Sequence, residues 1–247
     1  MSRETCMSLR IANWLKARAQ STFNWFLLTA ALLIVLLVFQ VGFPEPSKES
    51  QRELLSFAVN FLAGGVISFL FYFLVVYLPE NRRRKIVKQN LRSSYRRIKK
   101  DILWQVVFAS IAGGRRDLET TAESVDDLMQ VKAFKEKFQH GREADEGFYA
   151  FENQMMERTY EFRQIIVGLT ILAKQIDFVL HNYAIDNQDV FDFLRRLESF
   201  LVTLQHLEPG YDESEKLTGF IWEIFTGFNV IDGDRGYDFV EKLIDDM

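Results

Sequence analysis

The sequence predicts an all-α protein: a two-helix transmembrane hairpin followed by a cytoplasmic helical bundle. Three observations predict it. Two long uncharged runs lie within the first 78 residues, a dense basic stretch follows them, and the remainder repeats apolar residues at threes and fours. No convincing run of alternating strand residues occurs.

The overall charge of −4 conceals a strong asymmetry. Residues 80–100 carry ten basic side chains against the single acid Glu80, a local +9, whereas residues 101–247 carry 14 basic and 29 acidic side chains, a local −15. Such a split places a basic element beside an acidic domain and argues against a generally nucleic-acid-binding protein. The lone cysteine, Cys6, excludes an internal disulfide or a cysteine-cluster metal site and fits a reducing compartment.

A cytoplasmic tail, residues 1–23, precedes the hairpin of residues 24–79. Its first span, residues 25–43 (WFLLTAALLIVLLVFQVGF), holds no charge. At about 1.5 Å per residue it is just long enough for a hydrocarbon core of about 30 Å. A cleaved secretory signal is the rival reading. Against it stand the long polar region ahead of the run and the missing small-x-small pattern before the PEP turn. Residues 54–78 (LLSFAVNFLAGGVISFLFYFLVVYL) form the second span, long enough to cross with some tilt. Trp25, Tyr72 and Tyr77 sit where interfacial aromatics belong. The tail supplies Arg3, Arg10, Lys16 and Arg18 against Glu4, and the loop of residues 44–53 has two basic and three acidic residues. Counting basic residues therefore places both termini in the cytoplasm and the loop outside. That loop is too short to fold a receptor module, so a signal is expected from the cytoplasmic side or through the bilayer.

Ser56, Asn60, Gly64 and Ser68 recur every four residues along the second span, continuing to Tyr72, with Gly65 beside the row. Small residues let helix backbones approach, and Asn or Ser can hydrogen-bond across a helix pair in lipid. The row suits packing against the first span, packing between protomers, or the wall of a water-filled path in an assembly. Neither span holds an ionisable residue, which argues against an ion-coupled transporter.

Residues 80–112 predict a basic amphipathic juxtamembrane helix, with Pro79 at its start. Val87, Leu91, Tyr95, Ile98, Ile102 and Val106 form its apolar stripe. Arg82, Arg83, Arg84, Lys85, Lys88, Arg92 and Arg96 are the candidates for contact with anionic lipid headgroups, at about 1 kcal/mol per basic residue near the surface. The same charges serve as a topology signal. With Tyr95 and Trp104 the only nearby aromatics, direct nucleic-acid binding is disfavoured.

Residues 113–247 predict a cytoplasmic all-helical domain of five or six helices. Ser124 with Asp127 is expected to open a helix through VDDLMQVKAFKEKF. A polar loop covers residues 139–147, and one long helix should run from about Phe148 to Tyr183. Asp186 and Asp189 open the next helix; Asp212 with Glu215 opens another that ends near Gly227. Gly236–Met247 closes the chain as a short helix. FIWEIFTGFNVI (residues 220–231) carries one charge, and reads as a buried core helix or a self-association surface.

No catalytic pattern emerges. His140, His181 and His206 share no metal-ligand spacing. IDGDRGYD (residues 231–238) resembles a calcium loop in its alternating Asp232, Asp234 and Asp238. Yet Tyr237 stands where the turn glycine belongs and Leu243 where the bidentate acid belongs. No phosphate loop or nucleophile elbow is present. The expectation is a non-enzyme without metal or cofactor.

The chain's plan resembles the small two-span membrane effectors of bacterial antiphage systems, including those accompanying some retrons. The resemblance covers a short hairpin, then VVYLPENRRRKIVKQNLRSSYRRIKKDIL, then a helical domain ending TGFIWEIFTGFNVIDGDRGYDFVEKLIDDM. It implies a multi-pass protein of the bacterial inner membrane, held quiet until infection, that then damages the membrane and stops growth. The expected partners are anionic headgroups, further copies of the chain, and a cytosolic regulatory protein or nucleoprotein. The alternative is a membrane-anchored scaffold whose helical domain binds a cytosolic partner.

Overall fold

The computed structural model describes residues 24, 26, 28–35, 38, 49–139, 145–183, 185–229, 231 and 233–247. The chain divides into two compact units, Met1–Lys85 and Ile86–Met247. The tail of residues 1–23 and residues 44–48 of the loop lie outside the described residues, as do parts of the first span, whose residues 28–35 are helical.

In the first unit, α1 (Glu49–Tyr72) starts inside the stretch read from sequence as the external loop. Its first residues, ESQRE, carry acids that suit a helix N-terminus, so the loop ends earlier than the apolar run suggests. A π-helical turn, Phe73–Tyr77, separates α1 from α2 (Leu78–Ala112). Pro79 explains it. Proline has no N–H to offer the carbonyl four residues back and its ring presses on that carbonyl, so a regular ladder fails there. The widened turn carries a bond from Leu78 N–H to the Phe73 carbonyl instead. Pro79 therefore widens the helix where the sequence reading expects it to restart one. Phe26 stacks on Phe69 at 4.0 Å between ring centroids, and Phe69, Phe73 and Tyr77 continue the row. No described side chain between Arg52 and Lys85 is buried.

The second unit is helical with one minimal strand pair. After α2 come α3 (Ala122–Leu128), α4 (Val131–Phe138), α5 (Tyr149–Met155), α6 (Tyr160–Asn182), α7 (Gln188–Gln205), α8 (Tyr211–Thr226) and α9 (Phe239–Asp246). Between α8 and α9 an antiparallel hairpin pairs β1 (Phe228–Asn229) with β2 (Gly233–Asp234). The expected helix over VDDLMQVKAFKEKF is two helices. Thr121 rather than Ser124 caps α3, its hydroxyl accepting from Ser124 N–H at 3.2 Å. The expected helix from Phe148 to Tyr183 is likewise broken, because Thr159 accepts from Phe162 N–H at 3.1 Å and starts α6 afresh.

Apolar spacing places the core. α6 buries Phe162, Ile165, Leu169, Leu172, Ala173, Ile176 and Val179, and its partner α7 buries Val190, Leu194, Leu197, Leu201 and Leu204. The two helices make the most extensive pairing in the domain, as a short connection between amphipathic helices favours. Phe134, Phe138, Phe148, Trp222 and Phe225 form a second, aromatic centre, with Phe134 and Phe225 stacked at 4.8 Å. FIWEIF thus supplies core, through Phe220, Ile221, Ile224 and Phe225. Arg115 is buried beside it: its guanidinium holds Asp117 at 2.6 and 2.9 Å, donates to the carbonyls of Gly147 and Lys137, and lies over Phe138. Those bonds keep the Asp117 carboxyl well below the usual carboxylate range.

Among the described residues two helical runs are long and apolar enough to cross a membrane: Leu55–Ala112, which covers residues 55–78 of the expected second span, and α6. α6 is a core helix whose opposite face is also apolar.

Gly227 ends α8 at φ +66°, and a Cβ there would meet the Tyr237 carbonyl oxygen at 2.6 Å. Gly227→Ala is expected to lower stability by more than about 1 kcal/mol, whereas Gly219→Ala, within α8 with open space around it, should add about 0.5–1 kcal/mol. Thermal unfolding of both variants in detergent checks the pair; equal midpoints would contradict the account.

Candidate functional site: a basic helix held by the C-terminal helix

The basic row on α2 is the densest charge in the chain, and within the second unit α9 lies against it. Register follows from the contacts. Asp238 meets Tyr95 and Lys99, Glu241 meets Arg92 and Arg96, and Asp245 meets Lys88 and Arg92. As numbers rise along α9 they fall along α2, so the two helices run antiparallel.

The Asp238 end is dry. Lys99 is 3 % exposed and the Asp238 side chain 6 %. The Lys99 ammonium donates to Asp238 Oδ2 at 2.7 Å and to the Ile224 carbonyl at 2.8 Å, and lies 4.9 Å from the centroid of the Phe225 ring. Tyr95 donates its hydroxyl to the same Oδ2 at 2.6 Å. Asp238 Oδ1 caps α9 by accepting from Val240 and Glu241 N–H at 3.0 and 3.2 Å. One carboxylate therefore satisfies a buried cation, a buried hydroxyl and a helix start. Burial, reinforced by the adjacent Asp238 charge, pushes the Tyr95 phenol well above its ordinary pKa, so it stays a donor.

The remaining rungs are wetter. Arg92 donates to Glu241 at 3.0 Å and reaches Asp245 at 3.2 Å, while Arg96 Nε donates to Glu241 at 2.7 Å. Lys88 donates to the Asp245 backbone carbonyl. Burial alone would raise the Glu241 carboxyl, but hydrogen bonds from Arg96 and Arg92 outweigh it and hold it below its ordinary value. Lys100, one residue past the anchor, pairs with Asp126 in the second half of α3.

The seven residues singled out for lipid contact therefore divide. Lys88, Arg92 and Arg96 have their charges met by α9. Arg82, Arg83 and Lys85 are exposed in the first unit, and Arg84 lies 3.4 Å from Glu80. In the same unit Ser56, Asn60, Gly64, Gly65 and Ser68 are all exposed on α1, and a Cβ at Gly64 or Gly65 would meet nothing within 4 Å. The alternating aspartates of the apparent calcium loop go to separate tasks. Asp238 takes the anchor described above, and Asp234 pairs with Lys135 and accepts from Gly236 N–H; Asp232 lies outside the described residues. His181 is exposed and bonded to Asp177, and His140 lies outside the described residues. Among the described residues no group of three metal-ligating side chains converges.

Sequence reasoning missed the clasp itself. A signal was available: Asp238, Glu241 and Asp245, spaced three and four apart, match the four-residue row of Lys88, Arg92 and Arg96.

The fold and this site define an all-α protein in which two helices among the described residues are long and apolar enough to cross a membrane. Comparison with known proteins finds no matching family model, no matching curated protein and no matching solved structure.

Asp238→Ala is expected to cost about 3–5 kcal/mol, because it strands the Lys99 ammonium in a dry site. Lys99→Met strands the opposite charge, but the Asp238 carboxylate keeps the Tyr95 hydroxyl and two α9 N–H groups as donors, so this change should cost distinctly less. Urea unfolding in detergent measures both, and a Lys99→Met cost equal to or above that of Asp238→Ala would show that those donors do not compensate the carboxylate. The pH dependence has a fixed sign. Because the Glu241 carboxyl is depressed in the folded state, its contribution is present above its unfolded value near about 4.3 and is lost as pH falls through the folded value. Glu241→Gln should therefore lose stability at pH 7 and flatten the acid limb; a limb unchanged from wild type would contradict this.

Proposed function

We propose that the chain is an inner-membrane effector that, on a cytoplasmic trigger, assembles its hairpins and permeabilises the membrane, arresting growth in antiphage defence. The observation that carries the reading is the contrast between the two units. Residues 55–78 form an uncharged apolar helix in which no described side chain is buried, whereas the second unit has a full core. A bare apolar helix is stable in lipid, where every backbone group is satisfied within the helix. The stacking of Phe26 on Phe69, early in one apolar run and late in the other, supports an antiparallel hairpin with both ends on one side, and the basic flanks make that side the cytoplasm in this reading. The polar row of Ser56, Asn60, Gly64, Gly65 and Ser68 faces away from described neighbours, which supports its use between protomers. Arg82, Arg83, Arg84 and Lys85 are the lipid-facing charges in this reading, and the domain held through Lys99 and Asp238 is the part that receives the trigger. No catalytic step and no cofactor enters.

The test expresses the full chain and a version beginning at Glu80 in bacteria while a membrane-potential dye is followed. Depolarisation and growth arrest are expected from the full chain alone, and Asn60→Leu with Gly64→Leu should reduce depolarisation at least tenfold without lowering membrane insertion. Full-length protein that inserts and never depolarises, even when co-expressed cytosolic partners are removed, would leave the scaffold reading in its place.

A further inference from the structure

α6 is apolar on two sides, and only one is used. Opposite its core face, Tyr160, Gln164, Val167, Ile171, Lys174 and Phe178 follow steps of four and three, the spacing of a helix–helix seam. Val167 is 51 %, Ile171 43 % and Phe178 59 % exposed. Beside this ridge α2 approaches closely: a Cβ on Gly168 would stand 3.5 Å from Ile98 and 3.6 Å from Ile102. Between the two helices runs a groove of about 400 Å³, with Trp104 and Phe108, stacked at 5.5 Å, on its far wall. Gln105 lines the groove, and its side-chain carbonyl is buried without a hydrogen-bond partner among the described residues. Gln175 Oε1, next to the seam, is in the same condition. A buried acceptor left without a donor is unfavourable, so the face is energetically incomplete on both counts.

We infer that a second copy of this chain covers this face, the α6 ridge of each copy seated in the α2–α6 groove of the other about a two-fold axis parallel to α6. Three features select a second copy in this orientation. Ridge and groove lie side by side on one surface, so one two-fold satisfies both at once, as isologous contacts require. The ridge carries Gln164, whose amide can donate to the orphaned carbonyl of Gln105 in the partner groove. Charge then sets the direction. At 100° per residue, Arg163 and Lys174 border the ridge on the side away from α2, while Glu161 and Asp101 border it on the α2 side. A two-fold along the ridge lays each basic border over the other copy's acidic border; a two-fold across it would oppose like charges. Asp177, on the basic border, is already paired with His181, and Arg97, one turn before Asp101, is the single basic residue on the acidic side. The outcome is a four-helix contact of two α2 and two α6 helices. It gives the assembly proposed above its cytoplasmic half, and rests on that reading only for its consequence in the membrane.

The experiment measures the mass of the full-length protein in detergent by light scattering across a dilution series. Wild type is expected to be a dimer at tens of micromolar, and Val167→Glu with Ile171→Glu to be monomeric. Asp101→Lys and Lys174→Glu should each weaken the dimer at least tenfold, and the double swap should recover most of the loss. All four positions are solvent-facing in the monomer, and unchanged unfolding midpoints verify the fold. A monomeric wild type, a dimer indifferent to Val167→Glu with Ile171→Glu, or a dimer appearing only after removal of residues 1–23 would overturn the contact. The dye assay on the same variants separates the two readings. A dimer with no depolarisation sinks the effector reading alone; depolarisation unaltered in a chain that no longer dimerises detaches this face from it.

Discussion

The buried contact of Lys99 with Asp238 fixes more of the second unit than any other single interaction. An ammonium removed from water is tolerable only with a full set of acceptors, and this one has Asp238 and the Ile224 carbonyl at the end of α8. Three elements, α2, the last turn of α8 and the start of α9, must therefore arrive together. Such a pair adds little over a well-packed apolar substitute, but a misplaced partner leaves a bare charge, so its main effect is to make one docking register far better than its neighbours. Asp238 also caps α9, which ties the helix's formation to its placement.

Once that register is set, the outer rungs follow without further cost. Glu241 falls one turn on, between Arg92 and Arg96, and Asp245 one turn beyond, beside Lys88 and Arg92. These pairs are partly exposed, and such pairs typically contribute about 0–1 kcal/mol each and weaken with salt. The clasp thus has a dry end that resists ionic strength and a wet end that yields to it. Opening would begin at Asp245 and Lys88, the end of α9 nearest the chain's terminus.

Apolar pattern in the sequence was enough to reveal the all-α class and most helix positions, because burial at threes and fours is a local property. Its failures are local too. Thr121 and Thr159 were overlooked as caps since neighbouring acids and apolar residues carried the pattern across the breaks they make. The strand pair at Phe228–Asp234 is too short to register as alternation, and the π turn at Phe73–Tyr77 depends on a backbone conflict with Pro79 rather than on composition. The clasp between α2 and α9 was legible only as two unconnected charge rows, 139 or more residues apart in sequence; which carboxylate meets which cation depends on how the whole bundle brings the chain's end back to α2.

α1 and α6 show why two helices of similar apolar content suit different surroundings. α1 from Leu54 to Tyr72 carries no charge on any side, and its polar residues are small or, at Asn60, neutral. α6 breaks its exposed ridge with Gln164 and Lys174 and borders it with Arg163, Glu161 and Asp177. At the centre of a bilayer each such charge costs about 2.5–3.5 kcal/mol, and several together exceed what the exposed Val167, Ile171 and Phe178 could return. Against another protein surface the same charges find counter-charges and the lysine stem covers apolar area while its ammonium stays wet. α6 owes its hydropathy to two apolar faces: one forms its own core, and the second is interrupted by Gln164 and Lys174.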